Sequence, residues 1–62
     1  MPTRSELSSI ATTLEELTKR VASMAEGVGP DEEDLAVELF SVERSLMGAL
    51  RRLRKLAESP GR

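Results

Sequence analysis

The stretch LSSIATTLEELTKRVASMAEGV, residues 7–28, decides the fold. Its apolar residues Leu7, Ile10, Leu14, Leu17, Val21, Met24 and Val28 recur in alternating steps of three and four. That spacing keeps side chains on one side of an α-helix, and its seven-residue repeat is the seam of a coiled coil. With Leu7 at heptad position a, Leu14, Val21 and Val28 share that position, while Ile10, Leu17 and Met24 occupy d. Both rows are expected to face a partner helix.

The ends of the stretch agree with a helix. Thr3 followed by Glu6 reads as a capping box, in which hydroxyl and carboxylate satisfy exposed backbone N–H groups. Gly27 and Gly29 mark the exit, since a left-handed residue after a helix is easiest for glycine. Pro30 then suits the first position of a second helix, and Asp31, Glu32, Glu33 and Asp34 suit the positive end of its dipole. The second seam runs Leu35, Leu39, Val42, Leu46, Ala49, Leu53 and Leu56.

The chain therefore reads as all-α: an antiparallel, coiled-coil-like two-helix hairpin over residues 1–62. Helix 1 is expected over about 4–26, a turn over 27–29, helix 2 over about 30–58 and a disordered tail over 59–62. Opposite charges at the flanking g positions choose the register, setting Glu6 near Arg52 and Arg20 near Glu38. In that register Leu53 and Leu56 overhang Leu7, with Leu53 expected to pack on Met1 or on a second copy.

Size argues for association. A chain of 62 residues rarely builds a core sufficient by itself. It has no cysteine for a disulfide and no histidine to help hold a structural zinc, so oligomerisation is the remaining staple. Two hairpins pairing as a four-helix bundle is the expected form.

The e positions suggest the surface for it. Ala11, Thr18 and Ala25 on helix 1, with Ala36 and Leu50 on helix 2 and Phe40 and Met47 beside them, look like half of a packed interface. They are expected to form an apolar patch large for a monomer.

No catalytic, cofactor-binding or metal-binding residue is expected. General acid–base work near neutral pH mostly uses His, which is absent along with Cys and Tyr. The acidic run Asp31–Asp34 lacks the alternating ligands and turn glycine of a calcium loop. Gly27-Val28-Gly29-Pro30 lacks the strand and the Lys-Ser/Thr pair of a phosphate loop. Ser5, Ser8 and Ser9 read as exposed helix positions.

Arg51, Arg52, Arg54 and Lys55 cluster in the last turns of helix 2. They complement the helix dipole, or alternatively contact a phosphate backbone or an acidic partner. With a net charge of −2, any anion binding would be local rather than a property of the whole molecule. A single aromatic residue leaves nothing to stack on successive bases.

These readings add up to a small non-catalytic interaction module, an adaptor or regulator that binds itself and another protein. The alternative is a nucleic-acid-associated regulator using the Arg-rich end in a dimer. No cofactor, membrane or small-molecule substrate is expected. A cytoplasmic location is expected from the missing cysteine and the lack of a long apolar run.

Overall fold

The computed structural model describes residues 3–58, so the expected tail at 59–62 and the contact of Leu53 with Met1 lie outside the described residues. Helix α1 runs Thr3–Glu26. A single 3₁₀ turn, Pro30–Glu32, leads directly into α2, Glu33–Glu58. The two α-helices pack against each other as a hairpin.

Local chemistry accounts for most boundaries. Pro30 opens the second helical segment, where its fixed φ fits and its missing N–H costs nothing. Gly29 precedes it in extended geometry, φ −74° and ψ 166°, and accepts the Glu32 N–H at 3.0 Å. Asp31, Glu32, Glu33 and Asp34 are all exposed at this helix start, as a solvated acidic turn should be. Thr3 is already helical, one position further in than a flanking cap residue would be.

The exit from α1 differs from the expectation. Neither Gly27 nor Gly29 takes a left-handed φ. Instead the Gly27 N–H donates to the carbonyls of Ser23 and Met24, at 3.2 and 3.1 Å, and Val28 N–H donates to Ala25. The last turn thus tightens around its own carbonyls, which satisfies them without a reversed residue.

The larger correction concerns which rows face inward. On α1 the a row Leu7, Leu14, Val21 and Val28 is half-buried as expected, but its companion is the e row: Ala11, Thr18 and Ala25 are buried. The d row of Ile10, Leu17 and Met24 is exposed. Helix α2 is turned in the same way. Leu39, Leu46 and Leu53 stay in the contact, and beside them lie Ala36, Glu43, Leu50 and Ala57 rather than Leu35, Val42, Ala49 and Leu56. Small residues at every seventh position let the two backbones approach, and the leucines of α2 fill the space above them.

The register moves as well. Arg54 Nη2 donates to Glu15 Oε1 at 2.6 Å. In the expected register Arg54 would lie about eleven residues, roughly 16 Å, beyond the level of Glu15, farther than the two side chains span. The bond therefore places the end of α2 further back along α1 than the expected register has it. The ion pairs Glu6–Arg52 and Arg20–Glu38 do not form among the described residues; those present are Glu15–Arg54 and Glu15–Lys19. Leu53 and Ala57 are half-buried, so the end of α2 lies along α1 rather than overhanging it.

Candidate association surface

Thr18 is a buried polar side chain in this contact, 6% exposed. Its hydroxyl donates to the Leu14 carbonyl one turn back at 2.7 Å, which removes the cost of burying it. Among the described residues no buried side-chain nitrogen or oxygen lacks a hydrogen-bond partner.

The interhelix bond orients the two sides of the hairpin. Glu15 belongs to the seven-residue stripe Ser8, Glu15, Ala22 on α1, and Arg54 to the stripe Phe40, Met47, Arg54 on α2. Because Glu15 and Arg54 meet, these two stripes border one edge of the contact, called here the bridged face. The stripes on the opposite flanks, Ile10, Leu17, Met24 on α1 and Leu35, Val42, Ala49, Leu56 on α2, must therefore border the other edge together.

These two faces differ in kind. The bridged face carries Phe40 and Met47, 43% and 47% exposed. It also carries the Glu15–Arg54 pair, with Lys19 Nζ 3.9 Å from the second Glu15 oxygen. The open face carries Ile10, Leu17, Met24, Leu35, Val42 and Leu56, all exposed, with Met24 the most at 61%. Leu14 and Val21 lean toward it from the half-buried row, and Ile10, Leu14 and Leu17 line a shallow hollow with Ser9 and Thr13.

Of the residues expected to form an association face, the structure brings Ala11, Thr18, Ala25 and Leu50 into the contact between the hairpin's own helices, where they are the buried residues. Ala36 is half-buried beside them. Phe40 and Met47 remain accessible on the bridged face. In the sequence the open face is masked, because Ile10, Leu17, Met24, Leu35, Val42 and Leu56 have the spacing of the seam itself.

At the rims of the open face both helices carry the same series. On α1, Glu6, Thr13 and Arg20 stand three or four residues from the apolar stripe; on α2, Glu38, Ser45 and Arg52 do the same. Each helix thus runs from acid through a hydroxyl to base along its own direction. All six side chains are exposed.

The basic end is partly committed. Arg51, Arg52, Arg54 and Lys55 border one open hollow, but Glu58 borders it too, and Arg54 is bonded to Glu15. Among the described residues no group of three His, Cys, Asp or Glu could hold a metal ion, and no helix is long and apolar enough to cross a membrane.

No protein-family model matches the chain, and no curated protein and no solved structure matches it either. The reading of its function therefore stands on the geometry.

Proposed function

We propose that this chain is a small non-catalytic interaction module that acts through helix–helix association, with a second copy as its first partner and a four-helix bundle as the product. One observation carries the reading. Among the described residues nine large apolar side chains are exposed, including Ile10, Met24, Phe40 and Leu56, while the buried apolar residues are two alanines and Leu50.

Fully burying a side chain of this size contributes about 1.5–3 kcal/mol. Six that are still roughly half exposed on one face hold an association gain of about the size of a small domain's whole stability. Exposed stripes of this extent mark interaction surfaces in soluble proteins. As an adaptor or regulator, the dimer would then offer Phe40 and Met47 on its outer faces to another protein.

Sedimentation equilibrium tests this directly. The proposal expects a dimer of helical chains at micromolar concentration; a folded monomer over the whole concentration range contradicts it.

A further inference from the structure

We infer that the second copy docks on the open face, the one bearing Ile10, Leu17, Met24, Leu35, Val42 and Leu56, and that the charge series at its rims selects it. The inference rests on the self-association proposed above and names the surface that performs it.

The placement of charge separates this face from the bridged one. Docking a copy on Phe40 and Met47 would take the Glu15–Arg54 pair and Lys19 out of water, and ion pairs lose solvation that their mutual attraction only partly restores. The open face has no charge within its stripes, and its charged residues stand at the margin, the arrangement of an apolar interface core with a polar rim.

The occupant follows from the rims. A closed pair of identical chains is related by a two-fold axis, so the same patch must complement itself. For two hairpins stacked face to face with their helices side by side, an axis along the helices sets α1 against α2 of the copy. An axis across them sets each helix against its own counterpart. Either way every helix gains an antiparallel neighbour. Since both helices run from Glu through Thr or Ser to Arg, an antiparallel neighbour always brings acid toward base, with Thr13 and Ser45 near the middle. Glu38 and Arg52 form no ion pair within the described hairpin, so these ends are available to a copy. A partner lacking this acid-to-base order would meet like charges along part of the rim.

Two double variants test the inference in the full chain. Glu6→Arg/Glu38→Arg makes both rims basic, and Arg20→Glu/Arg52→Glu makes them acidic. All four positions are exposed, so neither change disturbs the hairpin contact. Each variant alone should dimerise about tenfold more weakly than the parent. An equimolar mixture should form mixed dimers in preference to either like pair, and the preference should fade at high salt. In parallel, Leu17→Glu should abolish the dimer and Phe40→Glu should leave it within about threefold of the parent, since each surface charge change off the interface alters little.

A mixture that shows no preference overturns the inference, as does a dimer that survives Leu17→Glu or is lost in Phe40→Glu. These outcomes leave self-association standing through another face. A parent chain that is monomeric in the same experiment contradicts the self-association proposal itself.

Discussion

Arg54 Nη2 lies 2.6 Å from Glu15 Oε1, joining residues 39 apart in the chain. This bond ties the end of α2 to the middle of α1, and it distinguishes the observed register from the one that the flanking charges suggest. Its contribution to stability is modest, because both side chains keep more than a third of their surface in water. A double-mutant cycle of Glu15→Ala and Arg54→Ala, followed by urea unfolding, should give a coupling of about 0.2–1 kcal/mol that shrinks as salt is added.

The rotated contact predicts a contrast between neighbouring positions. Ala25 is 3% exposed in the seam, while Ser23 is exposed. Ala25→Leu should destabilise the hairpin by about 1–3 kcal/mol, because the added atoms must push the helices apart. Ser23→Leu should change stability by less than about 0.5 kcal/mol. If the contact used the d row instead, Ala25→Leu would be tolerated as well.

Glu43 occupies an inward position between Leu39 and Leu46 and is half-buried. It forms no ion pair with another described residue. Glu43→Leu would continue the leucine row and replace a partly desolvated charge by apolar contact, so it should stabilise by about 1 kcal/mol or more. A fall in the urea midpoint would show that the carboxylate has a role in the contact that the packing does not reveal.

Gly48 lies in the interior of α2, and a Cβ built on it meets nothing within 4 Å. Its backbone is helical, so Gly48→Ala removes unfolded-state freedom without strain and should stabilise by about 0.5–1 kcal/mol. Thermal unfolding by circular dichroism measures it. Destabilisation instead would mean that the missing side chain makes room for something beyond the hairpin.

Much of the fold is legible in the residues. The three-and-four spacing from Leu7 to Val28 and the Gly-rich break before Pro30 predict two helices and a tight connection, and the described hairpin has them at nearly those bounds. What periodicity does not fix is the rotation of each helix about its axis. A heptad with apolar residues at three of seven positions supports two inward pairs of rows, a with d or a with e. Hydrophobicity alone favours Ile10, Leu17 and Met24 over Ala11, Thr18 and Ala25. The packing favours the smaller set because it brings the backbones together and gives Leu50 a place to bury.

The same ambiguity explains why Ala11, Thr18, Ala25 and Leu50, expected on an association face, are buried between the hairpin's own helices. The proposed four-helix arrangement would use both pairs of rows, one for the hairpin and one for the copy. The charges hid the register for a related reason. Glu6, Arg20, Glu38 and Arg52 look complementary within one chain, and they are equally complementary between chains. The Glu15–Arg54 pair joins positions that the expected register holds too far apart.

The central claim is that the hairpin's own fold leaves a face that a second copy covers, so stability and association are one equilibrium. Thermal unfolding followed by circular dichroism over a hundredfold range of protein concentration is its most direct test. For a coupled dimer the midpoint rises steadily with concentration, because mass action favours the folded pair. A single cooperative transition whose midpoint does not move would mean that the lone hairpin is stable with its open face in water, and the account would be contradicted.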